Sequence, residues 1–391
     1  MRILLISNLF PPGFIGGYEL FAADMADELH ARGHELTVLT SAAIDRAAPD
    51  AAPYAVRRTL RRTIEPDGPL TEDEQRTGGC FDHADNQRAL AEAIADHRPD
   101  GILLFSLAGL GSLGCYRALD AGGWSPVTIF GDNVFAGVRD RADQYEAFGK
   151  AAPIRRILSR SRSLFLSRRV RAEIESELGC RFEHPDYIPA MVRQGAPAPD
   201  APSDAQPRFV APSRLAEHKG VHILLEAVQI ARTLGIGPFF VDLYGVGEVE
   251  RWMGEVERSG LSGIVSYKGV VPKEEMLRRY GDYDALLLPT WEREAFGAVA
   301  IEAAAAGCIP IMTSSIGAAE WLVDGLDCIK IRRTAPALAE AMADLVRTPA
   351  AVRHARRPAL SRAARRAFNF DRWRPVVEAA LEAARRSGER A

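Results

Sequence analysis

Short, continuously apolar runs alternate along the chain with longer segments whose apolar residues recur at helical spacing. The first run, RILLIS, suits a parallel strand covered on both faces. NLFPPGFIGG follows as a loop, broken by Pro11, Pro12, Gly13, Gly16 and Gly17. YELFAADMADELHARG then places Leu20, Ala23, Met25, Ala26 and Leu29 at helical spacing and stops at Gly33. HELTVLTS is the next strand, which completes a βαβ unit, the signature of a doubly wound sheet.

The same alternation continues. ALAEAIADHRPDGILLFS reads as helix then strand, SPVTIFG as a strand, and SLFLS as a short strand ending at Ser167. Residues 45–80, rich in Arg, Pro, Asp and Gly, read as an irregular excursion with no element assigned. AMVRQGAPAPDAPSDAQP marks a change of composition typical of an interdomain linker, taken as residues 191–207. A second alternating series follows. Its strands are RFVAPS, FFVDLYG, IVSYKG, ALLLPT, IPIMTSS and CIKI. Its helices are GVHILLEAVQIARTLG, VERWMGEVERSG, KEEMLRRYGD, AFGAVAIEAAAAG and APALAEAMADLVRT. An amphipathic helix closes the series from Asp371 onward. The expectation is an α/β protein of two doubly wound domains, 1–190 and 208–368. Residues 369–391 are expected to cross back to the first domain. A length of 391 residues agrees with two cores rather than one.

Composition narrows the function classes. The chain is 47% hydrophobic and 26% charged with a formal net charge of −3, which gives no general attraction to nucleic acid. Five cysteines are scattered and lack the close spacing of a zinc or redox motif, so they read as reduced thiols of a cytosolic protein. Eight histidines form no ligand-like cluster, and no metal is expected. MRILLISNLF opens like a secretory leader, but its apolar run is short and PPG replaces a cleavage site. No stretch approaches the ~20 apolar residues of a membrane span. PIRRILSRSRSLFLSRRVR carries seven arginines between Arg155 and Arg171. They read as a solvated helix face leading into a strand, or as a contact with an anionic membrane surface.

Three segments carry candidate chemistry. In PPGFIGG, Gly16 and Gly17 precede a helix, where backbone N–H groups approach an anion closely; the plain alternative is a shaped turn. In APSRLAEHKGVHILLEA, Arg214 and Lys219 lie between a strand and a helix. Two cations there suit a diphosphate, and the plain alternative is a solvated pair. In WEREAFGAVAIEAAAAG, Glu294 falls in a loop and Glu302 about two turns away on an alanine-rich helix. Buried carboxylates need a partner. One reading pairs Glu302 with a structural Arg and leaves Glu294 in water. The other directs both at sugar hydroxyls, which a carboxylate accepts well, and at charge developing at an anomeric carbon.

Taken in order, these segments resemble the retaining nucleotide-sugar glycosyltransferases of family 4, of GT-B fold. Glu294 and Glu302 fit that family's E-x7-E motif, and SRLAEHKG looks like its diphosphate-binding R…KG loop. GG followed by Glu19, ARGHELTVLT, LYGVGEVE and YKGVVPKEEM resemble its amino-terminal loop, second strand, glycine turn and base-flanking strand end. The resemblance implies two Rossmann-like domains facing across a cleft. It implies that Arg214 and Lys219 hold the diphosphate, that Glu302 binds the ribose and that Glu294 contacts the transferred sugar. Phe296 and Gly297 would present backbone N–H groups, Gly245 would form the glycine turn, and Gly269, Val270 and Val271 would flank the base. Where many members carry a histidine before Asp, this chain has Gly131, Asp132 and Asn133. Asp132 then either contacts the acceptor hydroxyl or caps a turn.

The function implied is a metal-independent, retaining transfer of a hexosyl unit from a UDP- or GDP-linked sugar to a hydroxyl acceptor, with no cofactor. The expected place is the cytoplasm, with possible contact to a membrane face through Arg155–Arg171. A nucleotide-sugar epimerase or hydrolase on the same scaffold, and a silent sugar-nucleotide-binding subunit, stand as alternatives.

Overall fold

The computed structural model describes residues 1–14, 16–42, 52–62, 82–136, 151–193 and 206–388. It divides into two compact units, Met1–Pro189 with Phe370–Ala391, and Ala190–Asn369.

Among the described residues the first unit holds a parallel sheet in the order β3-β2-β1-β4-β5-β6-β7. Its strands are β1 (Arg2–Ile6), β2 (Glu35–Ser41), β3 (Ala55–Leu60), β4 (Gly101–Leu104), β5 (Val127–Phe130), β6 (Arg162–Phe165) and β7 (His184–Tyr187). Its helices are α1 (Gly17–Ala31), α2 (Ala84–His97), α3 (Ser112–Ala121), α4 (Ala151–Arg160) and α5 (Arg168–Leu178). Ile3 pairs with Leu36 on one side and Gly101 on the other, so β1 is central. Its apolar run follows: Ile3, Leu4 and Leu5 are fully buried. Strand order reverses between β1 and β4, which makes their carboxyl ends the switch point of this sheet.

The helix α12 (Phe370–Gly388) packs on this unit although nearly two hundred residues separate it from the rest. Val377 and Leu381 are fully buried, and a Cβ at Gly101 would come within 3.1 Å of Leu381. His34 Nε2 lies 3.0 Å from Glu378, and Arg32 pairs with Asp371.

Two expectations are corrected here. β3 lies inside the stretch read as irregular. Its sequence AVRRTL shows no alternation because it is an edge strand whose arginines work outward. Arg57 pairs with Asp96 at 2.8 Å, and Arg58 donates to the carbonyls of Phe10 and Pro11. Residues 45–51 and 63–80 of that stretch lie outside the described residues. At the expected linker's start, residue 191, the chain already belongs to the second unit, which runs from Ala190. Met191 and Val192 are buried, and Val192 donates its N–H to Phe368 O at 2.8 Å. Residues 194–205 of the expected linker lie outside the described residues.

In the second unit the described residues form a parallel sheet in the order β10-β9-β8-β11-β12-β13. The strands are β8 (Arg208–Pro212), β9 (Phe240–Tyr244), β10 (Val265–Tyr267), β11 (Ala285–Leu288), β12 (Ile309–Thr313) and β13 (Ile329–Ile331). The helices are α6 (Val221–Thr233), α7 (Val249–Arg258), α8 (Lys273–Arg279), α9 (Ala298–Ala305), α10 (Ala335–Arg347) and α11 (Ala350–Ala367). Its core includes Phe209, Val241 and Leu287 of the strands with Leu224, Val228, Leu338 and Met342 of α6 and α10. The order reverses between β8 and β11, so the loops leaving these two strands border the second switch point.

Candidate active site

The carboxyl ends of β8, β9, β10 and β11 are zipped together beyond the regular sheet. Leu215 N donates to Val246 O at 2.8 Å, and Glu248 N returns to Leu215 O at 2.8 Å. Gly245 N donates to Gly269 O at 3.0 Å, and Tyr267 Oη to Gly245 O at 2.8 Å. Gly245 has φ +126, and a Cβ there would sit 2.3 Å from Ser213 O. Only glycine allows that approach, which brings the β9 exit against the loop carrying Arg214. Arg214 itself is exposed, and among the described residues its guanidinium has no hydrogen-bond or ion-pair partner.

The loops flanking the switch point are joined as directly. Trp291 N donates to His218 O at 3.1 Å, and Glu292 N to the same oxygen at 3.3 Å. This clip brings Lys219, in the short turn Glu217–Lys219, beside the exit loop of β11. Lys219 Nζ meets Glu294 Oε2 at 2.5 Å, with side chains only 15% and 19% exposed. Glu294 is therefore not left in water. Glu302, on α9, faces Lys273 at the start of α8, 3.8 Å from Nζ to Oε1. That contact ties α9 to the segment that follows β10.

Phe296 is buried, and Gly297 caps α9 with φ +81. The positive φ turns the chain from the β11 exit into a helix whose first N–H groups have no partner within it. Gly317, of the SSIGAAE segment, locks the turn from behind: Ala318 N donates to Phe296 O at 2.7 Å. Val270 is 62% exposed and Val271 half-buried on the loop leading to Lys273.

Arg214, Lys219, Gly245, Gly269, Val270, Val271, Glu294, Phe296, Gly297 and Glu302 thus lie on four adjoining strand exits of the second unit. Sequence reasoning missed Lys273, His218 and Trp291. Lys273 carried a usable signal: a cation in the first turn of a helix opposes the dipole and calls for a carboxylate partner.

Gly16, Gly17 and Asp132 belong to the first unit. The N–H of Gly16 does not point freely at a ligand, because it donates to Glu19 Oε2 at 2.9 Å. That carboxylate occupies the N-terminus of α1. Gly17 faces open space. Asp132 is exposed at the exit of β5 and accepts from its neighbour Asn133 N at 2.6 Å, while Asn133 Oδ1 accepts from Phe135 N at 3.2 Å. Within the arginine-rich run, Arg155 donates to Leu178 O at 2.9 Å. Arg169 and Arg171 pair with Glu173 and Glu175. Arg156, Arg160 and Arg168 are exposed.

Among the described residues, no group of three or more His, Cys, Asp or Glu is placed to hold a metal ion. Among them, too, no helix is long and apolar enough to cross a membrane.

Comparison with known proteins shows what the chain is similar to. Residues 206–348 match the family model described as Glycosyl transferases group 1. The glycogen synthase of Mycobacterium tuberculosis is 31% identical over 182 residues, a match covering 45% of this chain and 42% of that protein. The chain thus matches less than half the length of that relative. Among solved structures, sucrose-phosphate synthase from Thermosynechococcus elongatus superposes with a TM-score of 0.74 at 18% identity, covering 98% of this chain and 99% of that one. HepE of Anabaena in complex with UDP-glucose gives 0.67 at 17% identity, with 98% and 100% covered. The catalytic domain of starch synthase IV from Arabidopsis thaliana, bound to ADP and acarbose, gives 0.69 at 14% identity, with 98% and 99% covered. The fold is that of the GT-B glycosyltransferases, two parallel-sheet α/β units.

Proposed function

We propose that the protein is a glycosyltransferase that takes a hexosyl unit from a nucleoside diphosphate sugar and transfers it, with retention and without a metal, to a hydroxyl acceptor. The observation that carries this reading is the grouping at the second switch point. Arg214, without a partner among the described residues, and Lys219, which pairs there with the Glu294 carboxylate, stand where two loops meet a helix N-terminus.

Each residue has a role in this reading. Arg214 forks onto the diphosphate, and Lys219 adds a point charge. The N–H groups at Gly297 and the first turn of α9 face sugar-donor oxygens. Glu302 accepts from the ribose hydroxyls and Glu294 from the transferred sugar. Gly245 and Gly269 leave room for the base beside Val270 and Val271. Cations and the helix dipole supply the charge stabilisation that a divalent ion supplies elsewhere. The leaving phosphate takes the acceptor proton as the new glycosidic bond forms on the face it vacates. Asp132 is the candidate contact of the acceptor hydroxyl.

The test is a thermal-shift panel of nucleoside diphosphates and their sugars, run in chelator. A ligand at a hundredfold over its dissociation constant adds about 2.7 kcal/mol of stability. One sugar nucleotide should stabilise the protein without metal, and Lys219→Ala should abolish the shift. A panel that shifts only with added divalent ion overturns the metal-free reading.

A further inference from the structure

We propose that Tyr18 is a positioning residue that holds the Gly131–Asp132 turn, and that Gly131 is a glycine because the Tyr18 ring fills its side-chain space. The role assigned to the turn rests on the function proposed above; the pairing itself rests on geometry alone.

A Cβ built at Gly131 would stand 2.5 Å from Tyr18 Cε2 and 2.6 Å from Cδ2, with Leu166 Cδ1 at 3.1 Å. Real carbons do not approach that closely, and a ring cannot yield as a flexible chain does. The ring is fixed by more than packing. Its hydroxyl donates to Ile129 O, and its phenol oxygen accepts from the Gly131 N–H. The phenol therefore bridges the two backbone groups either side of Phe130, the last residue of β5. Phe105, just past β4, supports the ring at 5.8 Å between centroids. Burial, with the Asp132 and Glu19 charges adding to it, holds the phenol well above its ordinary range, so it stays protonated and donating.

Tyr18 is the second residue of α1, directly after Gly16 and Gly17. It thus couples the first glycine loop of the chain to the carboxyl end of β5. Asp132 is exposed, and the tether reaches it through its neighbour's backbone. At the exit of β5, the space a side chain at Gly131 would take is filled by one delivered from α1. A ligand over β5 meets an aromatic edge and the Asp132 carboxylate.

The experiment uses the full chain in four variants: Tyr18→Phe, Tyr18→Ala, Gly131→Ala and the double variant Tyr18→Ala with Gly131→Ala. The first readout needs no substrate. Tyr18→Phe keeps the ring and loses the bridge, and amide hydrogen exchange over 132–136 should rise about tenfold with little change in Tm. Gly131→Ala should lower Tm sharply, and the double variant should recover part of that loss, because the clash partner is gone. The second readout is the split of kinetic constants with UDP-glucose or ADP-glucose as sugar donor and alkyl glucosides as acceptor. Tyr18→Phe should raise the acceptor KM about tenfold and leave the sugar-donor KM within about twofold. Strictly additive Tm losses, or unchanged exchange over 132–136 in Tyr18→Phe, overturn the pairing. An equal rise in both KM values overturns the positioning role. Absence of turnover with every donor counts against the glycosyltransferase reading and leaves the first readout decisive for the pair.

Discussion

Lys219 Nζ and Glu294 Oε2 meet at 2.5 Å, across the two loops that flank the switch point of the second sheet. The contact answers why a carboxylate stands in a covered loop: a cation from the neighbouring strand exit neutralises it. In the function proposed above, an incoming diphosphate would compete with Glu294 for that ammonium.

That competition fixes the sign of two substitutions. Lys219→Ala should weaken nucleoside diphosphate binding by about 1.5–3 kcal/mol, the loss of a charge-assisted bond. Glu294→Gln removes the competing charge, so UDP or ADP should bind more tightly while transfer falls. Calorimetric titration with the free diphosphates measures the first effect, and turnover of the sugar nucleotide measures the second. Weaker diphosphate binding in Glu294→Gln would contradict the competition.

Gly317 should be sensitive for a steric reason. A Cβ there would lie 2.2 Å from Ala295 O and 2.9 Å from the Cα of Phe296. Gly317→Ala must push the β11 exit away from its place, so nucleotide affinity should fall about tenfold or more. Gly263→Ala, with nothing within 4 Å, is the control and should bind as the parent does. Equal affinities for the two variants would show that the turn is not held from behind.

Much of this site is legible in the chain because its parts are local. Arg214 and Lys219 sit in one loop, Glu294 and Glu302 in one strand–loop–helix, and each segment carries its own apolar strand as a marker. What stayed hidden depends on distant partners. β3 shows no alternation because Arg57 and Arg58 reach to α2 and the first loop. α11 is not assigned from the sequence, and its Arg353 and Arg357 are buried. Gly131 reads as a missing side chain until Tyr18 is seen beside it. Lys273 needed its partner on α9.

The buried arginines of α11 lead to a stability prediction. Arg353 Nε lies 3.0 Å from Asp284 Oδ1, with side chains 5% and 2% exposed. Asp284 also accepts from Arg208 N at 2.9 Å, so it anchors the starts of β8 and β11. Arg353→Ala strands that charge and should cost about 3–5 kcal/mol. Adding Asp284→Ala should cost less than the sum of the single changes. Urea denaturation of the single and double variants gives the coupling.

His97 sets a pH dependence in the first unit. It is buried, 3.0 Å from Thr37 Oγ1 and 3.2 Å from Ile3 O. Burial lowers its pKa below the usual 6.5, against the opposing pull of Glu35 and the Ile3 carbonyl. The unfolded chain then binds the proton more readily than the folded one. The neutral ring's contribution is intact above about pH 6.5 and is lost as the pH falls through the lowered folded value. Tm measured from pH 8 down to 5 should decline, and His97→Gln should flatten the decline over that window. A parallel decline in the variant would place the acid sensitivity elsewhere.

The first sheet closes only when α12 arrives, since Val377 and Leu381 belong to its core while the chain between builds the second unit. During synthesis, β1 through β7 therefore wait while some 180 residues, Ala190 to Asn369, leave the ribosome. At cellular elongation rates the delay is about 10–40 s. The second unit, continuous in the chain, is free to fold within that interval. The nascent first unit keeps an apolar face uncovered until then, and that is the stage at which a chaperone would find it.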